Sequence, residues 1–392
     1  VKVLILHQHY NTPEKGGPLR SYYLAQALAD FGFEPVVITA HHHPYRTEKS
    51  KGVEVHYLSV PYENSYTFYK RGYAFLQFAW KAFRLARKFG DAKICYAISV
   101  PLTVGMAAMW IKRIYKIPYV FEVGDLWPDA PIEMGYIRNK LLKKSLYAIE
   151  QRVYTNANAI VALSQPINDA IGKKISGKKI EVIANMADTD FFKPSGKDAT
   201  LQQKFGVSGK FVISYTGALG AANGLDHIIE CARQSQYTTL PIHFLICGEG
   251  AMKKTLASKI KGFGLSNISL LPFSKREGIR EILNVSDAVF ICYDTFPILE
   301  TGSPHKYFDG LAAGKLIVVN FSGWIRTEIE KRECGIFADP KKQKDMVEKI
   351  ASFVNDPALT RKFQINARLV AEENYTRRQL SKKFVDLIRA NI

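Results

Sequence analysis

Ser303-Pro304-His305-Lys306-Tyr307-Phe308-Asp309 puts a cation and a carboxylate three residues apart at the start of an apolar, helix-periodic stretch. Ser303 is of the type that caps a helix, Pro304 suits the first helical position, and Lys306 then stands where Glu would complete a capping box. A lysine there opposes the positive end of the helix, whereas a carboxylate would contribute about 0.3–1 kcal/mol. The reversal makes sense if a bound phosphate supplies the negative charge. Residues three apart share a helix face, so Lys306 for phosphate and Asp309 for sugar hydroxyls would project together. The alternative is an exposed Lys-Asp pair of little energetic weight.

A second helix start has the same character. Gly16-Gly17-Pro18-Leu19-Arg20 follows the first apolar run and precedes an apolar pattern through Leu24 and Leu28. Glycines let backbone approach a ligand, and Arg20 in the first turn again calls for an anion. A solvated arginine after an ordinary glycine turn would look the same. Elsewhere the pattern is bland. His41, His42 and His43 cluster beside Pro44 with no further ligand close in sequence, so no metal site is expected. Cys95, Cys231, Cys247, Cys292 and Cys334 are widely separated and read as reduced core residues.

The elements that must hold these residues are short β-branched runs alternating with amphipathic stretches. KVLILH, EPVVITA, VEVHYLS, KICYAI, PYVFEV and AIVALS fill the first half; FVISYTG, IHFLICG, ISLLPF, AVFICY and LIVVN fill the second. Buried parallel strands joined by helices read this way, and 392 residues exceed a single core. The expectation is α/β: two Rossmann-like, doubly wound domains, 1–188 and 189–375, facing across a cleft. The connection is placed near Asp188 to Asp198, where Pro194 and Gly196 interrupt the alternation. A last helix, roughly Arg377 to Asn391, could return to the first domain. Ligands in such folds bind beyond the carboxyl ends of strands, where both helix starts fall.

The sequence is identified as resembling glycosyltransferase family 4, which has the GT-B fold. The resemblance rests on Gly16-Gly17, GDLWPD at 124–129, VIANMADTDFF at 182–192, YTGALG at 215–220, CGEG at 247–250 and SPHKYFDGLAAGKLIVVN at 303–320, in that order. The subgroup most resembled builds O-antigen, capsule or other bacterial surface polysaccharide. It implies a retaining enzyme without a metal, a UDP-sugar donor (often an N-acetylated hexosamine) and an acceptor on a polyprenyl diphosphate. It further implies that Gly16, Gly17, Gly217, Gly248, Glu249, Phe273, Glu300, Thr301, Gly302, Ser303, Pro304, Lys306 and Asp309 contact the nucleotide sugar. Arg20, Asp125 and Trp127 fall to the acceptor, with Asp125 orienting or deprotonating its hydroxyl and Lys306 stabilising the leaving diphosphate. Asp125 as a plain helix cap is the competing reading. Glu122, nearer the strand, reads as structural.

Two departures matter. The first acidic residue of the family pair falls on Thr301, with Glu300 one place away, while the second is Asp309. The loop after the YTG strand has Gly220-Ala221-Ala222-Asn223 where many relatives carry Arg and Lys, so the cationic role must move elsewhere, and Lys306 is the local candidate.

Basic residues outnumber acidic ones by 54 to 36, a formal +18. Phosphates, nucleic acid or an anionic membrane would all attract such a chain. From Ala74 to Phe89 an apolar stripe (Phe75, Phe78, Ala79, Ala82, Leu85, Ala86) runs beside Lys81, Arg84 and Lys88, with Leu76, Trp80 and Phe83 at its border. Arg138 to Arg152 adds Lys140, Lys143 and Lys144. With no membrane span and an opening VKVLILH that reads as a strand, these point to a cytoplasmic protein lying on the inner face of the cell membrane, without nucleic acid. A core helix with a solvated face would share that pattern. Rival functions are a non-hydrolysing UDP-sugar epimerase of the same architecture and a degenerate polysaccharide- or anion-binding protein. An NAD-dependent dehydrogenase is a weak reading, since the first loop lacks G-x-G-x-x-G and no acidic residue sits at the required place.

Overall fold

The computed structural model describes residues 1–63 and 66–392, and for Phe68 the backbone alone. The first sheet contains β1 (Lys2–Leu6), β2 (Glu34–His41), β3 (Arg46–Ser50), β4 (Val53–Ser59), β5 (Ile94–Ile98), β6 (Tyr119–Val123), β7 (Ala159–Ala162) and β8 (Ile180–Val182). Its order is β3-β4-β2-β1-β5-β6-β7-β8, parallel except where β3 meets β4. The second sheet contains β9 (Phe211–Thr216), β10 (Ile242–Cys247), β11 (Ile268–Leu271), β12 (Ala288–Ile291), β13 (Leu316–Val319) and β14 (Gly335–Phe337). It runs β11-β10-β9-β12-β13-β14, with every pairing parallel. Strand order therefore reverses beside β1 in one sheet and beside β9 in the other. At each reversal, neighbouring loops leave in opposite directions and open a crevice.

Helices cover both faces of each sheet, which is why β9 and β10 are buried at every position. On one face of the first sheet, Phe78, Ala79, Ala82 and Ala86 of the helix Phe68–Ala86 join Val104, Ala107 and Ile111 of Thr103–Tyr115. The opposite face receives Leu24 and Leu28 from the helix Arg20–Asp30. It also receives Leu380, Phe384, Val385 and Ile388 from the last helix, Arg377–Arg389. Phe384 meets the buried Tyr96 ring edge-on at 4.7 Å. The end of the chain is thus part of the first domain's core.

The chain crosses between domains twice, and the crossings touch. Ala187 N donates to Tyr375 O at 2.8 Å, and Ala187 pairs with Thr376. Three strands escape the pattern reading: β3, exposed throughout, and the short β8 and β14 at sheet edges. The aromatic helix begins at Phe68, earlier than its apolar stripe indicates.

Candidate active site

Between the carboxyl ends of the two sheets lies a cavity of about 510 Å³. The first domain lines it with Gly17, Pro18, Leu19, Arg20 and Tyr23. The second contributes Thr216–Ala218, Cys247–Glu249, Phe273, Ser274, Arg276, Pro304–Lys306 and Asp309. Gly16 and Gly17 take φ of +75° and +84°, a left-handed turn that glycine adopts without steric cost. Gly16 lies against the far wall, since a Cβ there would sit 3.6 Å from Phe273. Gly248 has a different reason: its Cβ would fall 1.8 Å from the Gly217 carbonyl, so only glycine lets the loops after β9 and β10 nest together.

The helix carrying Lys306 and Asp309 spans His305–Ala312 and is entered through Pro304, not capped by Ser303. That corrects the capping assignment. Ser303 is held by Asn185 Nδ2, which donates to its carbonyl at 2.5 Å, while its buried hydroxyl has no protein partner. Lys306 is consequently the second helical residue, still within the first turn. Among the described residues no carboxylate meets it: Nζ donates to Tyr215 Oη at 3.1 Å and Asn223 Oδ1 at 3.4 Å, and lies 4.4 Å from the Tyr215 ring centroid. Burial lowers its pKa to about 8. One turn on, the Asp309 carboxylate has no hydrogen bond or ion pair among the described residues. Burial raises its carboxyl to about 7, Arg276 opposing and Asp188 adding to the shift. Both side chains still reach the open cavity, so water there moderates each shift.

A sequence pattern described as glycosyl transferases group 1 matches residues 197–370, and one described as a glycosyl transferase 4-like domain matches 16–186. The two meet across the cavity.

The chain belongs to the family-4 glycosyltransferases.

Its fold is GT-B. It is 20% identical to alpha-D-kanosaminyltransferase of Streptomyces kanamyceticus over 58% of this chain, a match spanning only 59% of that relative's length. It is 23% identical to the putative colanic acid biosynthesis glycosyl transferase WcaI of Escherichia coli K12, over 69% of this chain and 67% of that one. The Anabaena protein HepE, solved with UDP and glucose, superimposes with a TM-score of 0.73 at 17% identity, covering 99% of both chains.

Within this glycosyltransferase the other sequence-derived residues divide. Gly217, Gly248, Glu249, Phe273, Pro304, Lys306 and Asp309 line the cavity. Arg20 also borders it, but its anion is internal: Nε and Nη2 donate to Glu122 at 2.8–3.0 Å, and Nη1 and Nη2 to the carbonyls of Ala184 and Ile183. Tyr96 donates to the same carboxylate. The anion that Arg20 calls for is thus a buried glutamate 102 residues away rather than a ligand. Asp125 is exposed and outside the cavity lining, and desolvation by the surrounding protein raises its pKa. It lies close enough to Tyr293 to push that phenol up, after burial, and the Tyr293 ring is 6.0 Å from Lys306 Nζ. Trp127 packs half-buried against the first domain's core, outside the cavity lining. Asp129 accepts from Tyr147 Oη and Lys174 Nζ.

The 300–302 segment turns away. Thr301 Oγ1 donates to Ile298 O at 2.8 Å, inside its own short 3-10 helix Pro297–Thr301, and its carbonyl accepts from Ser164 of the other domain at 2.6 Å. Gly302 O accepts from Trp324 Nε1, and the Glu300 backbone packs on Gly323. None of the three lines the cavity. Sequence reasoning missed Tyr23, Asp188, Arg276 and His305 as cavity walls. His305 lies within the Ser303–Asp309 motif, next to its cation, but Arg276 had no local signal beyond following a strand.

Proposed function

We propose that this glycosyltransferase retains anomeric configuration and moves a sugar, of the N-acetylated hexosamine class, from UDP to a glycan carried on a polyprenyl diphosphate. The observation that carries the donor half is the cation without a carboxylate and the unpaired carboxylate on one helix, both facing a 510 Å³ cavity between domains. Lys306 and the amide groups of the first helical turn meet the diphosphate, stabilising the charge that develops as it departs. Asp309 accepts the ribose hydroxyls. Asp125, across the cleft, orients or takes the proton of the acceptor hydroxyl. A UDP-and-glucose complex of a protein of this fold and the colanic acid relative support the donor and the polysaccharide setting.

The membrane side is supported by exposed apolar side chains beside basic ones. Tyr69, Tyr73, Leu76 and Trp80 occupy one face of the helix Phe68–Ala86, and Arg84, Arg87 and Lys88 continue it. Leu141, with Lys140 and Lys144, is exposed on the helix Lys140–Asn156. No helix among the described residues is long and apolar enough to cross a membrane. A peripheral position on the inner face of an anionic bilayer fits this surface.

The test is thermal stabilisation by UDP, GDP, ADP and a set of UDP-sugars, followed by transfer from the best donor to short polyprenyl-diphosphate glycans. Selective stabilisation by uridine nucleotides and an elongated lipid product are expected. Indifference to every nucleotide would remove the donor assignment, and an epimerised UDP-sugar formed without acceptor would replace transfer by epimerisation.

A further inference from the structure

The segment that leads into the helix His305–Ala312 is gripped from the first domain. Three successive carbonyls, those of Thr301, Gly302 and Ser303, each accept from one side chain: Ser164 Oγ at 2.6 Å, Trp324 Nε1 at 2.8 Å and Asn185 Nδ2 at 2.5 Å. Trp324 belongs to the second domain, whereas Ser164 and Asn185 belong to the first. Slightly earlier in the chain, Ile298 N donates to Glu133 Oε1 at 2.9 Å, and the Ile298 side chain packs against the first domain's core. Backbone carbonyls outside regular structure need donors when buried, and two of these three find theirs across the domain boundary.

Both first-domain donors are deeply placed, Ser164 being 3% and Asn185 2% exposed. The Ser164 oxygen caps the helix Gln165–Gly172, accepting from Ile167 N at 3.3 Å, which leaves its proton for Thr301. The Asn185 amide oxygen is buried without a partner among the described residues, so the bond to Ser303 is the one hydrogen bond its side chain makes there. Immediately before Asn185, the Ile183 and Ala184 carbonyls accept from Arg20. The buried Arg20 network thus extends through Asn185 to the residue preceding Pro304.

We propose that Ser164 and Asn185 are positioning residues of the donor site, holding the entry of the Lys306–Asp309 helix against the first domain and so keeping the two walls of the cavity at the separation a nucleoside diphosphate spans. The inference rests on the donor reading above. Gly17 and Arg20 line one wall, Lys306 and Asp309 the other, and neither Ser164 nor Asn185 reaches the lining. Their influence on a ligand therefore passes through the 301–303 segment. A ligand that touches both walls binds more tightly when their spacing is set beforehand, because binding then orders less of the protein.

Calorimetric titration with UDP tests this, together with fluorine NMR spectra of protein labelled with fluorotryptophan. The Trp324 resonance, assigned by its loss in Trp324→Phe, reports the segment because the indole donates to Gly302 O. Ser164→Ala and Asn185→Leu should each move that resonance, leave those of Trp80 and Trp110 on the first domain's helices in place, and weaken UDP binding by roughly five- to tenfold, the scale of one buried hydrogen bond. Ser164→Thr keeps both the cap and the donor, and should match wild type in resonance and affinity. A lowered melting temperature with unchanged UDP affinity in these variants would assign the two residues to stability alone and overturn the proposal. An unmoved Trp324 resonance would do the same, as would a loss of affinity that Ser164→Thr shares. Should wild type bind no UDP while its Trp324 resonance still answers the substitutions, the donor reading fails instead.

Discussion

Lys306 and Asp309 lose stability for the fold in opposite pH windows, and the sign follows from burial. The folded pKa of Lys306 is lowered to about 8. Its contribution is therefore fully present above the unfolded value of about 10.5 and is lost as pH falls through 8. Lys306→Met should raise the melting temperature at pH 7, leave it unchanged near pH 10.5, and cut turnover by roughly 100-fold or more, the scale of removing one transition-state donor. Asp309 is raised to about 7, so its contribution is complete below about 3.8 and lost as pH rises through 7. Asp309→Asn should then stabilise the protein at pH 8 but not at pH 4, with weaker UDP binding. Thermal melts across pH, paired with turnover and UDP titration, check both. A destabilised Lys306→Met protein at pH 7 would show that its charge is compensated within the fold. These two residues were legible in the sequence because a cation in a first helical turn is a local anomaly. Thr301 was not: its hydroxyl closes the turn of its own 3-10 helix, and spacing does not reveal which way a turn faces.

At the scale of elements, the helix Phe68–Ala86 carries two messages. Its inner face, Phe78, Ala79, Ala82 and Ala86, is the stripe expected from helical periodicity. Its outer face is the less ordinary one, because Tyr69 is 86%, Tyr73 67% and Trp80 53% exposed. The basic row is only partly free, since Lys81 Nζ donates to Ser59 O at 2.7 Å. Large exposed aromatics beside Arg84, Arg87 and Lys88 give the surface a reason to meet lipid. Tyr73→Glu with Trp80→Glu should abolish flotation with anionic liposomes while leaving the melting temperature and UDP binding unchanged. Retained flotation would remove this helix from the proposed membrane surface. The periodic pattern placed the buried face and left the exposed one ambiguous, because aromatics bordering a stripe are either core or surface until neighbouring helices are packed.

Across the whole molecule, Arg20, Glu122 and the Ile183 and Ala184 carbonyls tie the first helix, a central strand and the interdomain crossing into one buried network. Glu122→Gln leaves a buried guanidinium without its counter-charge, a change that costs about 3–5 kcal/mol in comparable pairs. Chemical denaturation should show that loss, and an unchanged midpoint would mean water already reaches the pair. The sequence by itself determined the two alternating series of strands, the glycine loops that follow them, and the helix that presents Lys306 and Asp309. Those follow from periodicity and turn chemistry, which act over a few residues. Only the tertiary structure decided that Arg20 serves Glu122, that Arg276 and Asp188 line the same cavity as Asp309, and that the last helix completes the first core. Charge pairing and burial depend on which distant segments meet, and the separation of 102 residues between Arg20 and Glu122 is far beyond the reach of local pattern.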